Sequence, residues 1–380
     1  MSPPGAFVLE RERLDDLFAA LTRRGYTLIG PTVREEAIVY GELSRSADLP
    51  QGYSDEQEGG HYRLRRREDG ALFAYNVGPH SLKRFQLPPQ TRLWRARLGQ
   101  DGSLTELQET PREHARYAVI GVRSCELRAG AILERVLLGG AHPDPADRAR
   151  LKDAFIIAAQ CTQAAATCFC ASMGSGPTAH EGFDLALTEV LDGERHYFVL
   201  DVGSERGAEL LADVEHAAAG AGEQAAASAG HARAAAQMGR ELDAGDVREL
   251  LYRNYESPRW QQVAERCLSC GNCTMVCPTC FCTSVEDVTD LAGEHVERHQ
   301  RWDSCFTVDY SHIHGGAVRG SARSRYRQWM THKLATWFDQ FDSSGCVGCG
   351  RCITWCPVGI DITEEVRAIR GEEQASVAHA

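Results

Sequence analysis

The sequence predicts an α/β domain followed by a cysteine-rich α+β domain, and two observations carry this prediction. First, an apolar strand at 117–122, a helix at 126–138 and a second apolar strand at 155–159 follow one another in the order of a βαβ unit with parallel strands. Second, eleven of the fifteen cysteines lie beyond residue 257. The predicted division of the chain is therefore an α/β domain at 1–205, a connector at 206–256 and the cysteine-rich domain at 257–380.

The remaining elements of the first domain are predicted from periodicity. Apolar residues at helical spacing indicate an amphipathic helix over 7–24. Residues 41–70 are polar and rich in glycine and charge, which indicates loops with room for one strand. Two further strands, at 183–190 and 196–202, flank a turn at Asp192 and Gly193. These elements complete an α/β domain around the βαβ unit.

The connector at 206–256 is dominated by alanine with interspersed glycine. Alanine favours helix, so a helical connector is predicted. The alternative for 217–235 is a flexible linker of low complexity. At the other end of the chain, residues 365–380 are predicted to form a short helix and a frayed tail.

The composition is that of an acidic globular protein. The 380 residues carry a formal net charge of −12, which disfavours a nucleic-acid partner. The first residues contain neither a basic nor an apolar segment, and no apolar run is long enough to cross a bilayer. We therefore expect a cytoplasmic protein without a membrane span. In a reducing compartment, fifteen cysteines indicate metal or redox chemistry rather than disulfides.

Two cysteine runs carry the strongest functional signal. Both follow the pattern C-x2-C-x2-C-x3-C-P, at 267–278 and 346–357. A [4Fe-4S] cluster has four irons that each need one thiolate, and in two-cluster ferredoxins the fourth cysteine of each run binds the neighbouring cluster. The ligands predicted for the first cluster are Cys267, Cys270, Cys273 and Cys356, and those for the second are Cys346, Cys349, Cys352 and Cys277.

The spacing distinguishes these clusters from zinc. A zinc site takes four ligands, usually as two separated C-x2-C pairs, whereas each run here has three cysteines in consecutive steps. Gly271, Gly348 and Gly350 suit the tight loop that must wrap a cluster. The second domain is therefore predicted to be ferredoxin-like and to hold two [4Fe-4S] clusters.

An insertion at 278–345 separates the two runs and holds three further cysteines. Three thiols cannot complete a cluster, so a further metal site would need a ligand such as Asp303 or His299. The alternative is that these thiols pack beside the clusters or face a partner. A basic stretch at 319–333 is either a docking site for a partner or phosphate, or the solvated face of a helix. The three cysteines of the insertion are Cys280, Cys282 and Cys305.

Four cysteines of the first domain are predicted to converge. Cys125 and Cys161 each follow a strand of the βαβ unit, and the carboxyl ends of parallel strands meet where open α/β sheets place their ligands. Cys168 and Cys170 lie in a glycine-rich loop just beyond. Four thiolates match the corners of a third [4Fe-4S] cluster. The alternative is that all four are structural cysteines.

Motifs for substrate chemistry are absent from the sequence. No G-x-G-x-x-G follows a strand and no P-loop is present, so no dinucleotide or nucleotide site is predicted. No arrangement of serine, cysteine and histidine indicates nucleophilic catalysis. These absences predict a chain that carries electrons and performs no catalysis alone.

Five segments together resemble one family. They are GVRSCELRAGAILERVLLG, TCFCASMGSGP, CLSCGNCTMVCPTCFC, RWDSCF and CVGCGRCITWCP, and they span about 119–360. The chain resembles the beta subunit of soluble NAD(P)-linked nickel–iron hydrogenases, including the sulfhydrogenases, and the related A subunit of anaerobic sulfite reductase. The C-x2-C runs are shared by many ferredoxin-like proteins, whereas the GVRSCE, CFC and WDSC elements are narrower.

The resemblance implies a role and partners. In the hydrogenase family this subunit passes electrons between a flavin/NAD(P)-binding subunit and the hydrogenase small subunit. The chain is therefore expected to be an electron-transfer subunit of an oxidoreductase complex. The alternatives are the A subunit of an anaerobic sulfite reductase and a free-standing electron carrier or redox sensor.

Overall fold

An eight-stranded sheet organises the first half of the chain in the computed structural model, which describes residues 5–109, 115–143, 154–193 and 195–378. Its strands are β1 (Phe7–Glu10), β2 (Thr27–Arg34), β3 (Ala37–Glu42), β8 (Tyr117–Val122), β9 (Phe155–Ala159), β10 (Leu185–Asp192), β11 (Arg195–Val202) and β12 (Ala217–Ala218). The other strands of this half are β4 (Tyr53–Glu58), β5 (His61–Arg66), β6 (Gln90–Leu98) and β7 (Leu104–Glu109). Its helices are α1 (Leu14–Arg23), α2 (Lys83–Gln86), α3 (Ser124–Leu138), α4 (Glu205–Leu211) and α5 (Ala221–Ala236).

The predicted βαβ unit lies in the middle of this sheet. The strand order is β12-β1-β11-β10-β9-β8-β2-β3, and β8 and β9 are parallel, with Val119 opposite Ile156. Helix α3 follows β8 in the chain, and residues 144–153, before β9, lie outside the described ranges. The predicted strands at 183–190 and 196–202 are confirmed as the antiparallel pair β10 and β11. The mixed α/β character of the first half is therefore as the sequence predicts.

Two predictions for this half are wrong in part. The helix predicted at 7–24 begins only at Leu14, because Phe7–Glu10 forms a strand that pairs with β11 on one side and β12 on the other. The segment 41–70, predicted as loops with one strand, contains the hairpin of β4 and β5. This hairpin contacts the second cysteine run, since the N–H of Gly60 donates to the carbonyl oxygen of Ile353 at 3.1 Å.

A second sheet joins the two halves of the chain. It has the order β13-β14-β6-β7, where β13 (Thr283–Thr289) and β14 (His295–Trp302) come from the predicted insertion. The antiparallel pairing of β14 with β6 runs from His295 opposite Arg97 to Arg301 opposite Gln90. The insertion is therefore held against the first half by a sheet that crosses the predicted domain division, and that division itself stays a prediction.

Short helices surround the cysteine runs. They are α6 (Val247–Arg253), α7 (Arg259–Arg266), α8 (Asn272–Met275), α9 (Ala322–Thr331), α10 (Trp337–Phe341), α11 (Arg351–Thr354) and α12 (Ile362–Ala378). A short hairpin precedes α9, and its two strands, β15 (His312–Ile313) and β16 (Gly316–Ala317), have two residues each. Side chains from α6, α7, α9 and α12 share one apolar core that also contacts cysteines of both runs. None of the described helices is long and apolar enough to span a membrane.

The alanine-rich connector is helical where the structure describes it. Helix α5 covers most of 217–235, and Ala227 and Ala234 are buried on one of its faces. Gly230 on the same face lies close to Thr162, where a side chain would collide with the Thr162 methyl group. The alternative of a flexible linker at 217–235 is therefore wrong, because small residues let this helix pack closely.

Candidate metal centres

The two cysteine runs fold alike. Each forms a loop that ends in one helical turn, α8 in the first run and α11 in the second. The residue before each turn is a glycine in the left-handed conformation, with φ of 77° at Gly271 and 75° at Gly350. A residue with a side chain is strained there, which accounts for the glycine at both positions.

The first cysteine of each run accepts the same backbone hydrogen bond. The N–H of Ser269 donates to Sγ of Cys267 at 3.5 Å, and the N–H of Gly348 donates to Sγ of Cys346 at 3.4 Å. An N–H group directed at the sulfur stabilises the negative charge that a thiolate carries when it binds iron. The loops are therefore arranged to present thiolates.

The first site is a cavity lined by Cys267, Cys270, Cys273 and Cys356. The last of these comes from the second run, so the structure brings together the crossed set that the spacing predicts. Three aromatic side chains form the apolar wall: Phe306, Tyr326 and Trp329. Burial raises the pKa of the Cys273 thiol well above its ordinary value. Because iron binds the thiolate, loading of this site is expected to release protons.

The second site consists of Cys277, Cys346, Cys349 and Cys352. Burial raises the pKa of the Cys352 thiol well above its ordinary value, and Cys346, Cys349, Cys277 and also Cys273 of the first site are close enough to raise it further by their charge. Cys277 accepts a hydrogen bond from the ammonium group of Lys333 at 3.1 Å. The structure thus also brings together the second crossed set.

The third site is a cavity lined by Cys125, Cys161, Cys168 and Cys170. All four cysteines that the sequence predicts to converge do so, beyond the carboxyl ends of β8 and β9. A fifth cysteine, Cys349 of the second site, lines the same cavity, which the sequence analysis does not anticipate. The loops meet directly, since the N–H of Phe169 donates to the carbonyl oxygen of Gly348 at 2.9 Å.

The close approach of these loops explains the glycine at position 348. A Cβ on Gly348 would lie 2.5 Å from the carbonyl oxygen of Phe169, so no other residue fits without moving the loop of Cys168 and Cys170. The φ of Gly348 is also left-handed, at 62°. Backbone contact between the second and third sites thus depends on this residue.

The cysteines of the first and third sites line cavities with mainly apolar walls. Backbone N–H groups are directed at sulfur in the first and second runs. Both features suit the ligation of a [4Fe-4S] cluster by thiolates. Within the described ranges of the chain, no three Cys, His, Asp or Glu side chains are arranged to hold a single metal ion.

The three cysteines of the insertion do not form a common site. Sγ of Cys280 lies 3.5 Å from Nζ of Lys333, beside Cys277. Cys282 and Cys305 form a separate pair, joined by a hydrogen bond between their thiols. These placements agree with the alternative in which the thiols pack beside the clusters.

Asp303 and His299, either of which could supply the non-cysteine ligand of a further cluster, are engaged elsewhere. The carboxylate of Asp303 accepts hydrogen bonds from the N–H of Ser304 and the hydroxyl group of Thr307. The ring of His299 contacts Glu297 and Gln90 in the second sheet. The expectation of a metal site built on Asp303 or His299 therefore has no geometric support.

The basic stretch at 319–333 is not simply a solvated helix face. Arg323 and Arg327 pair with Glu256 near the surface. Arg325 and Lys333, in contrast, are only 8% and 4% exposed. The alternative of a solvated helix face is therefore wrong for these two residues, and each is directed into the core by its contacts with buried carbonyl or sulfur atoms.

A buried charge network between the second and third sites is missed by sequence reasoning. Arg351, in the second run, pairs with Glu126 of α3 at 2.9 Å, and its guanidinium also donates to the carbonyl oxygens of Gly78 and His80. Arg123 donates to the carbonyl oxygens of Phe73 and other residues around the third site. The signal in the sequence is the position of Arg123, Glu126 and Arg351 directly beside predicted ligands.

Comparison with known proteins agrees with this arrangement. Residues 266–360 match the 4Fe-4S dicluster domain family. The chain is 32% identical over 291 residues to the protein named sulfhydrogenase 2 subunit beta of Pyrococcus furiosus, an alignment that covers 75% of this chain and 82% of that protein. No solved structure matches the chain. With its dicluster domain and this identity over most of both chains, the protein is an iron–sulfur electron-transfer protein that belongs to the family of sulfhydrogenase beta subunits.

Proposed function

We propose that this chain relays single electrons between a flavin/NAD(P)-binding subunit and the small subunit of a nickel–iron hydrogenase module. One observation carries the proposal: the second cysteine site adjoins both of the others. Cys352 of the second site lines the cavity of the first, and Cys349 of the second site lines the cavity of the third. Redox sites that adjoin in this way are suited to passing electrons from one site to the next.

The proposed ligand sets follow the three sites. An iron–sulfur cluster supplies one-electron transfer, with a potential set by its ligands, nearby hydrogen bonds and solvent exposure. In this proposal the chain holds three [4Fe-4S] clusters, two in the dicluster domain and one in the α/β region. The ligands are Cys267, Cys270, Cys273 and Cys356 at the first site, Cys277, Cys346, Cys349 and Cys352 at the second, and Cys125, Cys161, Cys168 and Cys170 at the third.

The proposed partners follow from the family and from the limits of the chain. Hydrogen cleavage and NAD(P) reduction need a nickel–iron centre and a flavin, and the sequence contains no motif for either. A matched relative is named as a subunit, which supports an assembly in which other chains supply these cofactors. The net charge of −12 favours docking of such partners through defined patches rather than by nonspecific adhesion.

Reconstitution tests this proposal. A complex of this chain with a flavin subunit and a hydrogenase module should couple hydrogen oxidation to NAD(P) reduction. Omission of the chain should abolish that coupling, whereas hydrogen oxidation with an artificial dye at the hydrogenase module should persist. A Cys349→Ser variant should impair the coupling, because Cys349 lies between two sites, and the matched Cys282→Ser variant should not.

Three outcomes would contradict the proposal. An isolated chain that binds FAD or oxidises NAD(P)H would reveal a cofactor site within this protein. Affinity purification under anaerobic conditions that recovers sirohaem and no nickel would assign the chain to a sulfite reductase complex. Elution from gel filtration of native extract near the 41.8 kDa of the chain itself would indicate a free-standing carrier or sensor.

A further inference from the structure

Lys333 is a buried cation that contacts a predicted ligand sulfur of the second site. Its side chain is 4% exposed. The ammonium donates to Sγ of Cys277, to Oγ1 of Thr279 and to the carbonyl oxygen of Gly345, each at 3.1 Å. Sγ of Cys280, at 3.5 Å, is a fourth and longer acceptor, so the three N–H donors of the ammonium are all engaged.

The backbone of Lys333 is tied to the same site. The N–H of Gly345, the residue before Cys346, donates to the carbonyl oxygen of Lys333 at 2.8 Å. Lys333 therefore connects Cys277 to the start of the second run. It lies in a π-helical turn, His332–Thr336, between α9 and α10. Such turns are rare in helices and occur frequently at functional sites.

The corresponding position of the first site has no such cation. The two runs are matched at their first cysteines, which each accept a backbone N–H. They differ at their fourth cysteines. Cys277 accepts from the ammonium of Lys333, whereas the donor to Cys356 within the described part of the chain is the backbone N–H of Ile360, at 3.3 Å. The similarity of the loops makes this difference in charge the main contrast between the sites.

Other cations near the sites do not remove the contrast. Arg351 lies beside Cys349, and its charge is balanced by the buried carboxylate of Glu126. Near the first site, Arg259 and Arg266 share the carboxylate of Glu365, and their side chains are 23% and 44% exposed. Solvent therefore screens the charge of these two arginines, whereas Lys333 is buried.

Lys83 is a second buried lysine on the Cys277 side, and it adds to the positive charge there. Its ammonium donates to the carbonyl oxygens of Thr274 and Met275 and lies 3.8 Å from the centre of the Trp302 ring. Among the described residues, neither a carboxylate nor a ligand sulfur forms a hydrogen bond or ion pair with this ammonium, whereas Lys333 donates directly to a ligand sulfur. The second site therefore combines an N–H···S contact with uncompensated positive charge.

We propose that Lys333 holds the reduction potential of the cluster at the second site above that of the cluster at the first. The inference rests on the proposed ligation of a cluster by Cys277. One-electron reduction adds one negative charge, and a buried cation on a ligand sulfur stabilises that charge, since charges interact strongly in a medium of low dielectric constant. The second site adjoins both of the others. In this proposal, an electron that passes through the chain therefore resides mainly on the cluster of the second site.

Replacement of Lys333 by methionine tests the inference on the full-length protein, purified without oxygen. Redox titration followed by EPR gives the midpoint potential of each cluster, with the signals assigned through Cys277→Ser and Cys356→Ser variants. At a fixed potential, Lys333→Met should lower the ratio of reduced to oxidised cluster at the second site about tenfold, which is about 59 mV for a one-electron couple. The first site should change much less.

Two further variants distinguish an effect on the reduction potential of the second-site cluster from damage to the fold. Arg325→Met removes another buried cation of the same helical run, one that donates to the carbonyl oxygen of Phe306, and should leave the order of the two potentials unchanged. Lys333→Gln keeps an N–H donor without the charge and should give an intermediate potential. It also serves as the test if Lys333→Met loses iron.

The outcomes distinguish this inference from the proposed function. A wild-type potential at the second site that lies below that of the first overturns the inference without any variant. An unchanged second-site potential in Lys333→Met with full iron content, or an equal shift at both sites, also overturns it while leaving the electron-relay proposal intact. Absence of iron and labile sulfide from the wild-type chain would instead refute the proposed function itself.

Discussion

Arg351 and Glu126 form an ion pair of 2.9 Å in which the two side chains are only 1% and 2% exposed. Arg351 belongs to the second cysteine run and Glu126 to α3, so the pair joins the dicluster domain to the α/β region between the second and third sites. The hydroxyl group of Tyr40 also donates to Glu126, at 2.7 Å. The relative position of the two sites therefore depends on a buried charge network.

Replacement of Glu126 by glutamine should destabilise the protein strongly. The change leaves the Arg351 guanidinium buried without a counter-charge, and breaking such a pair typically costs about 3–5 kcal/mol in the free energy of unfolding. Urea denaturation under anaerobic conditions measures the effect. The matched control is Asp287→Asn, which breaks an exposed pair with Arg298 and should change the free energy of unfolding much less, because solvent screens exposed charges. Equal effects of the two variants would show that the buried pair has no structural role.

The crossed ligation gives a second prediction. Cys277 lies with the second run and Cys356 lines the cavity of the first. Cys277→Ala should therefore damage the cluster held by the second run, and Cys356→Ala should damage the cluster held by the first. EPR spectra of the reduced variants measure this. If each variant instead loses the signal of its own run, the ligand assignment is wrong.

The pattern of the cysteines made the composition of the first and second sites predictable, because cluster ligation is encoded in short, local spacing. The third site was predictable as a convergence, since Cys125 and Cys161 follow parallel neighbours in the sheet. The presence of Cys349 in that cavity could not be predicted, because it depends on how two loops that are distant in the sequence pack together. In the same way, the burial of Lys333 could not be predicted, because the basic stretch at 319–333 has the composition of a solvated helix face.

Some elements of the fold could not be predicted from the sequence, for related reasons. The hairpin of β4 and β5 has polar residues on both faces, so it lacks the apolar alternation that indicates a strand. The pairing of β6 with β14 joins segments about 200 residues apart, as between Arg97 and His295, and no local signal specifies such a partner. The sequence predicts a helix where β1 forms, because the few apolar residues of this strand continue the helical spacing of α1.

The next prediction concerns the iron content of the protein and its dependence on the cysteines of the third site. The intact chain should contain about twelve irons and about twelve labile sulfides from three clusters, and Cys168→Ala should lower both to about eight. Full-length protein is required, because Cys349 lines the same cavity. Cys280→Ala, which removes a thiol outside the three proposed ligand sets, should retain about twelve irons. An intact chain with about eight irons would support structural cysteines at the third site, and stoichiometric zinc without sulfide would exclude clusters altogether.

Cys282 should titrate far below an ordinary thiol. The hydrogen bond from the Cys305 thiol lowers the pKa of Cys282 to about 6, Tyr310 contributes in the same direction, and burial opposes both. The rate of alkylation by iodoacetamide should therefore rise with pH through an inflection near pH 6, because only the thiolate reacts, whereas an ordinary cysteine has its inflection near pH 8.5. The position of the inflection is the test, rather than the rate, since a thiolate of low pKa is also a weaker nucleophile. Mass spectrometry of the peptide that contains Cys282 measures the rate.

Cys305→Ala should move the inflection towards that of an ordinary thiol, and Tyr310→Phe should move it in the same direction by less. An inflection near pH 8.5 in the wild-type protein would show that Cys305 and Tyr310 do not stabilise the Cys282 thiolate.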